Sequence, residues 1–200
     1  MKRYPVNIPE NKIGDYEIVH ARNGVTHLMM NNRSIMSDDD QEYKEHQHFL
    51  PNAYGHILSA GLGISMIHKP LMDNENFKSL TIVERSQEVI DLVWDHCHKD
   101  ERFKIVHSDI YDYVPTQKFD IGWFDSWIGE EPGGSRAENY PYYSEIYEMD
   151  MKEKFGKHCT KLLFWKSIHS PKNWYIFCQE SNMKMPKRKL NESSLSRILQ

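Results

Sequence analysis

From Asp15 onward, apolar and polar residues exchange over short runs, and the runs have strand character. Tyr16-Glu17-Ile18-Val19-His20 and Thr26-His27-Leu28-Met29-Met30 flank Ala21-Arg22-Asn23-Gly24. Asn and Gly both tolerate positive φ, so this pattern predicts a β-hairpin. Ser37-Asp38-Asp39-Asp40 then offers a helix N-cap with carboxylates in the first turn, where the helix dipole favours them. A helix from about Asp39 to Leu50, closed by Pro51, is expected.

After Pro51-Asn52 the pattern changes to apolar runs alternating with helical ones. His56 to Ala60 reads as a buried strand, Gly61-Leu62-Gly63 as a tight turn, and Ile64 to Lys69 as a helix start stopped by Pro70. Leu80 to Val83 is a second strand. Ser86 caps a helix with Val89, Ile90, Val93 and Trp94 on one face. Phe103–Val106, Phe119–Phe124 and Lys161–Trp165 are three further strands, and Glu145–Phe155 is helical. Parallel neighbours need crossover connections, so repeated strand–helix units predict an α/β fold with a doubly wound, mostly parallel sheet. The organisation expected is a small N-terminal β-hairpin and helix segment over 1–52, a Rossmann-like domain over 53–180 and a tail over 181–200. In that tail Lys184, Lys187, Arg188, Lys189 and Arg197 face only Glu192; it is either solvated or binds a phosphate or a partner.

Composition narrows the classes. No apolar run approaches the roughly 18–20 residues of a membrane helix, and Met1-Lys2-Arg3-Tyr4-Pro5 is followed by no apolar leader stretch, so no membrane association is expected. Three scattered cysteines, Cys97, Cys159 and Cys178, with no Cys-x-x-Cys, support neither a disulfide framework nor a zinc site and suit a reducing, cytoplasmic setting. A formal net charge of -4 supplies no broad positive field for nucleic acid. His46 and His48 with Glu45, and His96 and His98 with Cys97, fall two residues apart. On a helix that spacing faces different sides, so they read as solvated helix termini and no metal site is expected.

Ligands of an open parallel sheet bind beyond the carboxyl ends of its strands, which makes the residues just after each strand the candidates. Gly61 and Gly63 follow the first strand and let a ligand approach the backbone. Glu84 ends the second about twenty residues on, where a carboxylate accepts hydrogen bonds from ribose hydroxyls. Asp109 and Asp125 follow the third and fourth. Together they indicate a nucleoside ligand. Met66 stands where a dinucleotide fingerprint has its third glycine, and no Gly-x-x-x-x-Gly-Lys-Ser/Thr loop is present, which disfavours NAD, FAD and P-loop nucleotides.

These stretches, His56-Ile-Leu-Ser-Ala-Gly-Leu-Gly, Thr81-Ile-Val-Glu-Arg-Ser-Gln-Glu-Val-Ile, Phe103-Lys-Ile-Val-His-Ser-Asp and Lys118-Phe-Asp-Ile-Gly-Trp-Phe-Asp-Ser, resemble class I S-adenosylmethionine-dependent methyltransferases over roughly residues 54–167. Within that superfamily they are most similar to the spermidine synthase branch. Val83-Glu84 with Glu88-Val89-Ile90, Asp125-Ser126, Ala137-Glu138-Asn139 before a Tyr-rich stretch, and the run from Ser37 through Tyr43 to Glu45 carry that likeness. The resemblance implies S-adenosylmethionine, or its decarboxylated form, as cofactor. It implies that Gly61 and Gly63 pass beneath the methionine moiety, that Glu84 holds the ribose, that Arg85 also binds the cofactor, and that Asp109 with Ile110 meets the adenine. Asp125 would be the catalytic aspartate, also at the cofactor's reactive end, that orients or deprotonates an amine nucleophile. Tyr43, Ser126, Trp127 and Tyr140 would face the acceptor, a small molecule such as a polyamine or other amine. The resemblance also implies homo-oligomer formation through the N-terminal β segment. Trp123, Trp127, Tyr140, Tyr142 and Tyr143 either line that pocket or are packing.

The departures bear on the reaction. Ile64 stands where aminopropyltransferases carry a loop aspartate suited to decarboxylated S-adenosylmethionine, and Ile128 stands in place of a second aspartate, for which Glu130 or Glu131 is a substitute. The family's hairpin glutamine has no match near Ser34, and the sheet is expected to be shortened at its C-terminal end. Asp125-Ser126-Trp127-Ile128 is not the Asp/Asn-Pro-Pro-Tyr/Phe segment of amino-methylating nucleic-acid enzymes, and no Pro-Cys nucleophile is present. A methyltransferase acting on a small or amine-bearing acceptor is therefore expected. The alternatives are a spermidine synthase-like aminopropyltransferase and a non-catalytic cofactor-binding relative.

Overall fold

The computed structural model describes residues 4–46, 49–125 and 147–165. They fall into two compact units: residues 147–156 form one, and the remainder the other. The larger unit holds two sheets. The first is an antiparallel meander of β1 (Asn11–Ile13), β2 (Tyr16–His20), β3 (Thr26–Met30) and β4 (Arg33–Ser37), in that order. The predicted hairpin is β2–β3, with Gly24 at φ 77° in its turn. Beyond it, the β3–β4 turn sits on Asn31 and Asn32 at φ 50° and 62°, a conformation asparagine adopts more readily than most residues. The meander is half-covered: Ile18 and Leu28 are buried, while most of their strand neighbours are not.

The second sheet is parallel throughout and contains β5 (Gly55–Ala60), β6 (Phe77–Glu84), β7 (Phe103–His107), β8 (Phe119–Phe124) and β9 (Cys159–Phe164). Its order is β7-β6-β5-β8-β9, so numbered from β5 the strands run 3-2-1-4-5. This is the doubly wound, Rossmann-like arrangement expected from the sequence. Consecutive residues of a strand face opposite sides, and Ile57, Leu58, Ser59 and Ala60 are all buried, so β5 is covered on both faces.

Two local differences from the sequence reading have physical causes. The helix expected over Asp39–Leu50 is shorter: α1 (Asp40–Glu45) is capped by Asp39, whose carboxylate accepts from the Gln41 and Glu42 amides, and a 3-10 turn follows at Leu50–Asn52. Pro70 does not stop a helix; it lies in the first turn of α2 (His68–Met72), where a missing N–H costs nothing. The β7–β8 connection over residues 108–118 contains no helix. Ser86 does cap α3 (Gln87–Val93), accepting from Val89 N, but the buried face is Val89, Leu92 and Val93. That helix lies against β1, β2 and β6 and so touches both sheets. In the smaller unit residues 147–155 are helical, with Tyr147, Met151 and Phe155 buried at i, i+4, i+8 spacing. The basic tail over 181–200 lies outside the described residues.

Gly55 opens β5 at φ 65°, and a Cβ there would lie 2.0 Å from Asp120 Oδ2, the atom that accepts the His56 amide at 2.7 Å. Gly55→Ala should therefore combine left-handed strain with loss of this strand-opening bond. The expected cost is about 2–4 kcal/mol, read as a lowered urea midpoint with unchanged slope.

Candidate functional site

Register places the candidate residues along one edge. The parallel ladder continues one residue past each strand: Gly61 N donates to Val83 O (2.9 Å), Ser108 N to Glu84 O (2.9 Å) and Asp125 N to Ala60 O (3.3 Å). The residues after β5, β6, β7 and β8 thus share the carboxyl edge of the sheet, and the chain reverses direction of travel between β5 and β8, where such folds hold ligands.

Gly61 (φ 92°) and Gly63 (φ 52°) both occupy conformations that disfavour a Cβ. Glu84, buried at the end of β6, spans the turn and the next helix: its Oε2 accepts from Leu62 N (2.9 Å) and its Oε1 from Ser86 N (2.8 Å). A carboxylate offers about four lone-pair directions, so two remain compatible with a pair of hydroxyls. Arg85 beside it is exposed, and its carbonyl accepts from His107 Nε2 at 3.1 Å. Asp109 forms a turn in which its Oδ1 accepts from Tyr111 N (2.9 Å), and Ile110 is buried behind it. This edge offers hydrogen-bond acceptors of the kind that the hydroxyl and amino groups of a nucleoside use. At Gly63 the cradle is lined by the chain itself: a Cβ there would lie 2.2 Å from Met36 Sδ, which also receives the Ile64 amide at 3.4 Å. Ile64 is fully buried, so the loop presents no carboxylate at that position.

Asp125 carries a partner that the sequence reading did not assign. His46, expected on a solvated helix terminus, is only 2% exposed, and its Nε2 lies 3.2 Å from Asp125 Oδ2. It is buried because the turn after α1 brings it onto β8, where its ring tilts at 5.8 Å from that of Trp123. Trp123 itself is packing: it is buried and stacks on Phe49 at 4.7 Å. Burial alone pulls the His46 pKa down. The hydrogen bond and charge of Asp125, with the bond to Glu42 and that residue's charge, outweigh it, so the pKa is raised above 6.5. The Asp125 side chain keeps 20% of its surface exposed.

Of the expected acceptor-side residues, Tyr43 is buried, and its hydroxyl accepts from Tyr4 N (2.9 Å) and donates to Tyr4 O, tying the N-terminal segment to α1. Ser126, Trp127 and Tyr140 lie outside the described residues, as do Ile128, Glu130, Glu131, Tyr142, Tyr143, His48 and Cys178. Burial pushes the Cys97 thiol up to about 11 and that of Cys159 up to about 12, so neither is a thiolate nucleophile at neutral pH. Among the described residues no group of three or more His, Cys, Asp or Glu side chains is arranged to hold a metal ion. No described helix is long and apolar enough to cross a membrane.

The architecture is a doubly wound, Rossmann-like parallel sheet with a small antiparallel sheet beside it. No protein-family model matches the sequence, and no curated protein matches it either. Among solved structures, the chain is similar to spermidine synthase from Thermotoga maritima at 17% identity, covering 57% of this chain and 46% of that one, with a TM-score of 0.45. It is similar to the N-methyltransferase NodS from Bradyrhizobium japonicum WM9 at 15% identity, covering 81% and 83%, with a TM-score of 0.45. A third is the complex of DhpI with SAM and HEP, at 15% identity, 76% and 66% coverage and a TM-score of 0.49. The chain spans about half the length of the spermidine synthases it matches.

Proposed function

We propose that this protein is an S-adenosylmethionine-binding transferase that methylates a small or amine-bearing acceptor, with Asp125 orienting the nucleophile and receiving its proton. The observation that carries this reading is the convergence of the Gly61–Gly63 turn, Glu84, Asp109 and Asp125 on one sheet edge, with Asp125 next to the β5 turn at the point where strand order reverses. Glu84 would hold the ribose hydroxyls, Asp109 and Ile110 the adenine, and the two glycines the methionine portion.

When bound, the cofactor supplies a carbon already activated by a sulfonium leaving group. The protein then has to align the attacking atom, exclude water and take up one proton. Asp125 Oδ2 faces His46, so Oδ1 is the oxygen that meets the N–H or O–H of the acceptor. The buried Ile64 supports the carboxylated cofactor over its decarboxylated form. The loop has no side-chain anion there to attract a propylammonium group, or to repel the methionine carboxylate.

Calorimetric titration with each cofactor tests this. S-adenosylmethionine should bind more tightly than decarboxylated S-adenosylmethionine. With an acceptor in hand, Asp125→Asn should leave cofactor affinity within a few-fold and slow transfer by about 10²–10⁴. Tighter binding of the decarboxylated form would turn the reading to aminopropyl transfer, and binding of neither would remove it.

A further inference from the structure

We infer that His46 is a positioning residue that makes Asp125 one half of a charge-neutral pair, so that the site takes an acceptor whose nucleophile is uncharged in preference to a polyammonium one. The inference rests on the reading of Asp125 as the acceptor-facing group, and it deepens that reading by naming a class of acceptor.

The argument is one of hydrogen placement. His46 Nδ1 lies 2.8 Å from the carbonyl oxygen of Glu42, an atom that only accepts, so Nδ1 carries a hydrogen. The other ring nitrogen, Nε2, lies 3.2 Å from a carboxylate oxygen of Asp125. An imine lone pair and a carboxylate lone pair repel at that distance, so one proton sits between them. With that proton on the ring, the pair has no net charge. The ring is sealed on its other sides: His46 is buried and leans on Trp123 from β8. The charged groups that bear on it are Asp125, after β8, and Glu42, on its own helix α1.

A site that captures a polyamine benefits from an uncompensated carboxylate, because each ammonium must be stripped of water and replaced by an opposite charge. Here Asp125 is already compensated from behind by a group that solvent does not reach. What remains at Oδ1 is a fixed hydrogen-bond acceptor, suited to orient a neutral amine, amide or hydroxyl. His46 also fixes the carboxylate's rotation by occupying Oδ2, which makes its role one of orientation as well as charge.

Two measurements test the proposal, and the first needs no cofactor. Ring 15N and 13C shifts of isotope-labelled histidine, followed across pH, should show His46 in the wild-type protein protonated at both nitrogens at pH 6.5 and losing that proton only above this value. In Asp125→Asn, His46 should become neutral, with its hydrogen on Nδ1. A His46 that is neutral without a proton shared to Asp125, or that titrates identically in both proteins, overturns the pair. The second is calorimetry with putrescine as the probe. His46→Gln keeps a donor toward Asp125 but removes the charge, and should bind putrescine about tenfold more tightly than wild type. His46→Asn serves as a second uncharged replacement should glutamine disturb the fold. Equal putrescine affinity in wild type and in the folded variants overturns the selection for an uncharged nucleophile. Cofactor titration reports separately on the transferase reading, so failure of one is distinguishable from failure of the other.

Discussion

Glu84→Ala is expected to lower stability by about 2–5 kcal/mol and to abolish binding of S-adenosylmethionine in the same stroke. Two backbone amides, Leu62 N in the glycine turn and Ser86 N at the start of α3, lose their carboxylate acceptor. An amide left buried without a partner costs about 1–3 kcal/mol. Glu84→Gln keeps a single carbonyl oxygen for two donors and should lose about half as much. Denaturant unfolding followed by circular dichroism separates the two variants. A Glu84→Ala protein that unfolds at the wild-type midpoint would mean that the turn and the helix cap stand without the carboxylate. A stable variant that still bound cofactor would remove Glu84 from the proposed ribose site.

The second large effect is a dependence of stability on pH with two limbs of opposite sign. Burial pushes His68 down to about 4, although its Nδ1 bond to His98 O, at 3.0 Å, works the other way. The unfolded chain takes up this proton near pH 6.5, whereas the native state refuses it until about pH 4. Acid between those values therefore favours unfolding, by about 3 kcal/mol over the whole interval. His46 runs in the opposite sense. Its native pKa is raised, so the stability it contributes is fully present below 6.5 and is lost as pH rises through the raised value. The two limbs meet near pH 6.5, where urea unfolding should show maximal stability. His68→Leu should flatten the acid limb, and Asp125→Asn the alkaline one. An acid limb that survives unchanged in His68→Leu would assign it to other groups.

The parallel sheet was legible because each strand carries a short apolar core, such as Ile57-Leu58 in β5, Ile105-Val106 in β7 and Leu162-Leu163-Phe164 in β9. Phe119–Phe124 and the Ser86 cap stand where the pattern places them. β1 and β4 were not legible: Asn11-Lys12-Ile13 and Arg33-Ser34-Ile35-Met36-Ser37 are short, polar and half-exposed, and they become strands by pairing with β2 and β3. The carboxylates after β6, β7 and β8 could be read off as candidates because strand ends mark them. Their hydrogen-bond partners could not. His46 meets Asp125, and Met36 meets Gly63, only because the meander and α1 fold back to the parallel sheet, and no local spacing encodes a contact between residues so distant in the chain. The His-x-His spacing read His46 as a solvated helix terminus, whereas the fold buries it against Asp125.

The strand order also carries a consequence for synthesis on the ribosome. β5 pairs with β6 on one side and with β8 on the other, and β8 is made well after β6 and β7. Until it emerges, the strand destined for the middle of the sheet is an edge, and that edge is Ile57-Leu58-Ser59-Ala60, with no charge or proline to discourage a stray partner. The nascent chain is therefore most exposed to misassembly between the appearance of residue 60 and that of residue 124. Slower elongation across this interval should lower the soluble yield, and a chaperone that shields β5 should restore it.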